Sequence, residues 1–237
     1  MQSLFMANVF ENIVEIFTTN EYISSIFYGL GTTLIISLGA ALLGSILGII
    51  VALVKISKSN GIVMKIAKGI CEVYITIIRG TPMALQLFIM YFVVFAIRGF
   101  PREITALIAF GINSGAYVAE NIRAGILSVD YGQTEAGRAL GLKSSTTMIK
   151  IVIPQAIKNV IPAICNEFIA LIKETSIVSM IGMYDLTQAA KVIGSGQNLA
   201  TYFAPMLVVA VFYLAIVYAL TFAIKIIERR LRASDRR

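Results

Sequence analysis

An all-α fold that crosses a membrane five times is what these residues predict, on three grounds. Of 237 residues, 58% are hydrophobic and only 14% are charged, against about 45–50% and about 25% in soluble domains; the mean hydropathy is +0.84. The apolar residues gather in runs of about 20, the length that carries an α-helix through the hydrocarbon of a bilayer. Basic residues flank alternate runs, as they do where loops stay on the cytoplasmic side.

Residues 1–21 carry Glu11, Glu15 and Glu21 and lack the positive leading region of a secretory signal, so they are expected as a segment ahead of the first span. That span is 22–54, long enough to tilt or to run past the bilayer. Its Gly39, Ala40, Gly44, Ser45 and Gly48 recur near helical spacing, and such small residues let other helices approach closely. A second apolar run opens at Ile62 and is cut by "RGTP" at 79–82. Pro82 cannot extend a preceding helix without losing a hydrogen bond, and it biases Thr81 away from helical geometry. Residues 62–78, bearing Lys65, Lys68 and Glu72, are therefore expected as a partly interfacial helix, with the true span at 82–97. The third span is 103–124, the fourth 158–181 and the fifth 201–227. No internal repeat marks the two halves of an inverted-repeat transporter.

Charge orients the spans. Lys55, Lys58, Lys65 and Lys68 follow the first; Arg123, Arg138, Lys143, Lys150 and Lys158 surround the loop 126–157. Lys225, Arg229, Arg230, Arg232, Arg236 and Arg237 close the chain, with 228–237 as a basic tail. The opposite side has Arg98, Arg102 and Lys191. Positive charge stays cytoplasmic, which puts the N-terminus outside and the loop and C-terminus inside. The net charge of +7 is then a topology signal. It does not describe a nucleic-acid surface, because the basic residues flank spans and form no face with interleaved aromatics.

Several chemistries are excluded or disfavoured. The absence of histidine removes His-based zinc sites, His triads and His proton relays. Cys71 and Cys165 sit far apart in apolar helical context, where a thiol behaves as a small hydrophobe. No G-x-x-x-x-G-K-[ST] phosphate loop is present, so the chain is not expected to bind ATP. No G-x-S-x-G nucleophile context supports a membrane-embedded enzyme.

One stretch stands apart, "EAGRALGLKSSTTMIKIVIPQ" at 135–155. Thr134 is expected to cap a helix, Glu135 to sit in its first turn where the dipole favours an anion, and Ala136, Ala139 and Leu140 to propagate it. Gly141 interrupts, a second short helix resumes, and Pro154 ends or bends it. Leu140, Leu142, Met148 and Ile149 are left for a partner. Taken alone, such a loop reads first as a solvated connector.

Glu135, Ala136, Gly137, Gly141, Ile151, Ile153 and Pro154 resemble the EAA signature of ABC importer permeases: E-A-A/G, three residues, G, nine residues, I-x-L/I-P. Gly137 and Ile153 are the only substitutions. "RGTPMALQLFIMYF" (79–92), "SGAYVAENIRAGI" (114–126) and "LIKETSIVSMIG" (171–182) are similar to segments of the polar amino acid branch, and the resemblance covers about 29–229. It implies a type I ABC importer fold, a five-helix permease domain over 1–237 in the bacterial cytoplasmic (inner) membrane. It also implies that Glu135, Ala136, Gly137, Arg138, Gly141 and Pro154 couple to a cytoplasmic ATP-binding subunit in two copies, which holds the ATP and magnesium; this chain has no cofactor of its own. Arg138 or Lys143 would pair with charges on that partner. A second permease protomer (a homodimer) and an extracytoplasmic amino-acid-binding protein complete the implied assembly.

Polar residues within spans are candidates for substrate contact, since a charge in hydrocarbon is costly unless paired. They are Gln86, Asn113, Tyr117, Glu120 and Glu167. Asn113, Tyr117, Glu120 and Asn121 recur at helical spacing on one face, and Glu167 and Glu174 lie two turns apart. Carboxylates would meet an ammonium or guanidinium; amides and hydroxyls would meet a carboxylate. The other reading is structural, with Glu120–Arg123 and Lys173–Glu174 satisfying one another; Glu120, near the cytoplasmic end, fits glue or a gate as readily. An acid-rich cavity favours arginine, lysine, histidine or glutamine over glutamate. A secondary transporter or channel subunit for a small polar solute is the alternative, although such a protein has no need of an EAA pattern.

Overall fold

A computed structural model describes residues 2–57, 59–195 and 202–233; Thr201, at the expected opening of the fifth span, and Lys58, Arg236 and Arg237 of the basic groups lie outside these. All regular structure among the described residues is helical. The helices are α1 (Gln2–Thr18), α2 (Asn20–Ile56), α3 (Ile62–Gly80) and α4 (Met83–Ile89), the last continuing through a wide π turn at Met90–Val94. Next come α5 (Arg102–Leu127), α6 (Tyr131–Ala139) and α7 (Ser144–Thr147), which passes through a second π turn at Met148–Val152. They are followed by α8 (Ile153–Glu174), tightening into 3-10 geometry over Thr175–Ile181, then α9 (Leu186–Gly194) and α10 (Phe203–Ala233).

Among the described residues, three helices are long and apolar enough to cross a membrane: α2, the run Ser144–Ile181 and Phe203–Leu231 within α10. The pair α3 and α4, bent by 110° at the predicted break, makes a fourth if it counts as one span. Against the five expected, the helix outside this group is α5. Its 26 residues would extend about 39 Å, but it carries Asn113, Ser114, Glu120, Asn121 and Arg123. The physical reason is its position: Ala106, Phe110, Asn113, Ser114, Ala116 and Val118 are buried, so α5 faces other helices and does not need an apolar surface all round.

Its principal neighbour is α2, and the small residues of α2 allow the approach. A Cβ on Gly44 would lie 2.7 Å from Ser114 Cβ, and one on Gly48 2.5 Å from Val118 Cγ1. From the other side, a Cβ on Gly111 would lie 2.5 Å from Leu43 Cδ2. Such separations are closer than real side chains tolerate, so the seam depends on backbone meeting side chain. The core beside it gathers Ile36, Ala40, Leu87, Phe110, Leu171 and Val178. Ile35 and Leu53 of α2, Val73 of α3 and Leu214 and Phe222 of α10 turn outward, as helices do in hydrocarbon.

Two helices were not anticipated. The N-terminal segment forms α1, whose Val9 and Ile16 pack with Ile26 of α2 and Val208 of α10. Between the last two spans, α9 is capped by Asp185, whose carboxylate accepts from the N–H groups of Thr187 (3.0 Å) and Gln188 (2.9 Å). Leu186, Ala189, Ala190 and Ile193 form its buried face, and the Leu186 N–H donates to Thr33 Oγ1 of α2 at 3.2 Å. A capping Asp followed by apolar residues at helical spacing and a closing glycine was readable signal.

Pro154 neither ends nor breaks its helix. The π turn just before it, in which Ile153 N–H donates to Met148 O, loosens the coil where proline removes a donor. The second short helix expected after Gly141 is consequently the start of the long Ser144–Ile181 run.

Candidate functional site

Two groups of candidate residues lie at the same end of the bundle. The first is the connection between α5 and the long helix that follows it. Asp130 accepts from the Gly132 N–H at 2.8 Å, so α6 opens at Tyr131 and Thr134 is not its cap; Glu135 falls in the middle of the helix. The helix closes with Gly141 N–H on Arg138 O (2.9 Å) and Leu142 N–H on Gly137 O (3.0 Å). That pattern needs a left-handed residue, and Gly141 supplies it with φ +75°. On the inner side, Gly137 is buried against Thr147, where a Cβ would lie 2.6 Å from Thr147 Cγ2. Glu135, Ala136, Arg138, Gly141 and Pro154 are exposed, and Leu140 is 79% exposed. Tethers run from Gln155 Nε2 to Gln133 Oε1 (3.3 Å) and from Asn159 Nδ2 to Ser128 Oγ (2.9 Å). A short rigid helix is thus seated by one glycine and ended by another, with its remaining face free of the bundle.

The second group centres on Glu120. Arg123 donates to it through Nε (3.0 Å to Oε1) and Nη2 (2.9 Å to Oε2), and Lys55 Nζ donates to Oε1 at 3.3 Å. Arg79 Nη1 stands 3.6 Å from Oε2, while Lys55 also pairs with Glu72 at 2.8 Å. The Glu120 side chain is only 16% exposed, and a carboxylate so enclosed is held by its cations. The Arg79 guanidinium also lies over the Tyr117 ring, 5.3 Å from its centre, a cation–π arrangement. Arg123 was expected as a partner of Glu120; Lys55 and Arg79 were not, because they arrive from other helices. The signal for Arg79 was its place beside the break, where α3 gives up its regular neighbours.

Gln86 and Asn113 meet each other. Gln86 Nε2 donates to Ile78 O (2.7 Å) and Thr81 Oγ1 (2.8 Å), and its Oε1 accepts from Asn113 Nδ2 at 2.9 Å. The amide therefore covers backbone groups released by the 110° bend and ties that bend to α5. Gln86 and Thr81 edge a cavity of about 230 Å³ that is otherwise lined by apolar residues such as Ile77, Leu85, Met90 and Ala109. Glu167 lies half-buried on α8, with Ser114 beside it and with Arg79 and Glu174 as the charges acting on it. Ser114 is 1% exposed, and its hydroxyl has no hydrogen-bond partner of good geometry among the described residues. The structure therefore brings Tyr117 and Glu120 together around Arg79, pairs Gln86 with Asn113, and leaves Glu167 facing the same guanidinium's field from α8.

The pattern of binding-protein-dependent transport system inner membrane components matches residues 44–233. The arginine transport system permease protein ArtQ of Bacillus subtilis (strain 168) is 40% identical over 92% of this chain and 97% of its own length. A putative glutamine transport system permease protein of Rickettsia bellii (strain RML369-C) is also 40% identical, over 85% of this chain and 90% of its own. Among solved structures, an amino acid ABC transporter crystallised with histidines superposes with a TM-score of 0.83 at 39% identity, covering 91% of this chain and 98% of that one. An inward-facing methionine ABC transporter shares the fold, with a TM-score of 0.72 at 20% identity over 90% of this chain and 99% of that one. Matched along nearly their whole length by these relatives, the chain belongs to the binding-protein-dependent transport system inner membrane components, as an ABC transporter permease: a transport subunit of the inner membrane rather than an enzyme.

Proposed function

We propose that this permease imports polar amino acids of the arginine, lysine, histidine and glutamine class, driven by a cytoplasmic ATPase that docks on α6. The observation that carries the coupling role is the build of α6, with Gly137 against Thr147, a left-handed Gly141 and an exposed Glu135–Ala136–Arg138 face. A glycine at the buried position lets the helix sit close to the bundle, and exposed charges suit it to a partner's cleft. Relatives named for arginine and glutamine support the substrate class, as does Glu167 within the bundle, where a cation would be its natural partner.

In this reading one permease domain, 1–237, crosses five times through α2, the bent pair α3–α4, α5, the Ser144–Ile181 run and α10. The N-terminus is outside and the C-terminus in the cytoplasm. Two such chains form a homodimer, two ATPase subunits hold ATP and magnesium, and an extracytoplasmic binding protein delivers the amino acid. ATP-driven movement at α6 biases inward- and outward-open populations. The deciding experiment is ATPase activity in proteoliposomes that contain this chain and its ATP-binding subunit, with the binding protein and each of the four amino acids added in turn. Stimulation by one or more of them is the expected result; a complex that hydrolyses ATP without response to any of the four would remove the substrate assignment.

A further inference from the structure

The 17 residues of α1 make a helix about 26 Å long, shorter than the roughly 30 Å of hydrocarbon in a bilayer. Asn8, Glu11, Asn12 and Glu15 are spread along it, so it is built neither to cross nor to sink. It rests on the end of the bundle opposite α6. Val9, Ile13 and Ile16 pack with Ile26 near the start of α2, Ile193 of α9 and Val208 near the start of α10, whereas the far end of α2 reaches Glu120 through Lys55.

Val9, Ile13 and Ile16 are spaced i, i+4 and i+7, one stripe of the helix. A step of one residue, about 100° around the axis, gives Phe10, Val14 and Phe17. This stripe is equally apolar, but the described helices leave it uncovered: Phe10 is 69% and Phe17 51% exposed. A further step gives Glu11, Glu15 and Thr18, of which Glu11 and Thr18 are exposed. Around α1 the order is therefore protein, bare apolar, polar. A helix standing in water has no use for the second stripe, and one sunk in hydrocarbon cannot carry the third. Together they fit a helix at the boundary of the two, leaning on the bundle.

The bare stripe continues a belt that already faces lipid. Phe27 and Tyr28, next to Ile26 on α2, are exposed, as are Tyr202 and Phe203 where α10 begins. Phe27 meets Phe212 edge to face, with ring centres 6.1 Å apart, so α2 and α10 adjoin near this level. Aromatic rings gather at the membrane–water interface. No Lys or Arg precedes Lys55 in the sequence, so α1 offers lipid phosphates no cationic side chain, and its contact with lipid is apolar.

We propose that α1 is an interfacial anchor in the leaflet opposite α6, with Phe10, Val14 and Phe17 set among the glycerol groups and upper acyl chains of the phospholipids and Glu11, Glu15 and Thr18 turned to water. Through Val9 and Ile16 the anchor fixes the depth of α9 and of the starts of α2 and α10. This role is independent of which solute the permease carries.

The chain contains no tryptophan, so one introduced ring reports its own depth. Phe10→Trp, Phe17→Trp and, on the polar stripe, Thr18→Trp are reconstituted as the permease–ATPase complex in phosphatidylcholine nanodiscs. The acyl chains are brominated either near the glycerol or near the methyl end, and emission is read as the difference from the complex with unsubstituted permease. Val14→Trp reports on the same stripe if either phenylalanine variant fails to assemble. Near-glycerol bromine should quench the apolar-stripe reporters at least about twofold more than Thr18→Trp, and more than deep bromine does, as for a helix 5–10 Å into the headgroup and acyl boundary. The quenching should survive high salt and need no anionic lipid. Apolar-stripe reporters untouched by either bromine would mean that protein, such as a second copy, covers the stripe, and would overturn the proposal. Equal quenching of Thr18→Trp, or stronger quenching by the deep bromine, would put α1 inside the hydrocarbon and overturn it as well.

Discussion

Gln86 closes the break between α3 and α4 with one amide, donating to Ile78 O and Thr81 Oγ1 and accepting from Asn113. Gln86→Leu deprives the part-buried Ile78 O and Asn113 amide of this partner, at a cost of about 1–3 kcal/mol for each group left unpaired out of reach of water, while Thr81 Oγ1 keeps its bond to Ile77 O. The thermal midpoint of the purified permease–ATPase complex should fall for Gln86→Leu, and an unchanged midpoint would mean that the bend is held by packing alone. Gly141 is a second residue whose conformation makes a prediction. Its φ of +75° costs an L-residue about 1–2 kcal/mol, with Asn the most tolerant substitute. Substrate-stimulated ATPase activity should therefore decline in the order Gly141, Gly141→Asn, Gly141→Val, with insertion into the membrane retained. Equal activity in all three would dissociate the turn from coupling. Glu135→Lys reverses a charge on the exposed face of α6 and should uncouple hydrolysis from substrate without loss of the folded permease.

At the scale of elements, α9 and the α2–α5 seam show how short-range signals meet long-range packing. The cap on α9 is the buried carboxylate of Asp185, and removing an N-cap costs about 0.5–2 kcal/mol. Asp185→Ala is expected to raise amide hydrogen exchange across Leu186–Gly194 well before it changes exchange in α2; parallel changes in both would mean that α9 has no independent stability. The seam should tolerate far less. Gly48→Leu must displace Val118 and approach the Ala119 backbone, which a Cβ alone would already reach at 3.0 Å. A sharp loss of folded permease on expression is the expected outcome, with Gly31→Leu, which faces open space, as the tolerated control.

For the whole molecule, the arrangement of spans predicts which surfaces face which compartment. In a background with Cys71→Ala and Cys165→Ala, Glu15→Cys on α1 should react with an impermeant thiol reagent from outside intact cells. Leu140→Cys, at the C-terminal cap of α6 and strongly exposed, should react only after the cytoplasm is opened. Labelling of both from one side would refute the N-outside orientation.

The residues alone pointed to the membrane class and to a short glycine-ended helix after α5 because both are written in local pattern. Apolar length decides whether a helix meets lipid, and the spacing of Glu135, Gly137 and Gly141 follows from one short helix and its turn. Gly141 was legible for this reason, whereas the start of α6 was misplaced because Asp130 caps more effectively from four residues upstream of Thr134. The five candidate substrate residues could be named from their chemistry but not sorted. Helical periodicity says which residues share a face and not which face of another helix comes opposite. Lys55, Arg79 and Glu120 meet across three helices, and Gln86 finds Asn113 only once α4 has turned by 110° against α3. Those encounters depend on how closely glycines let α2 approach α5 and on the angle at Pro82, and packing in three dimensions sets both.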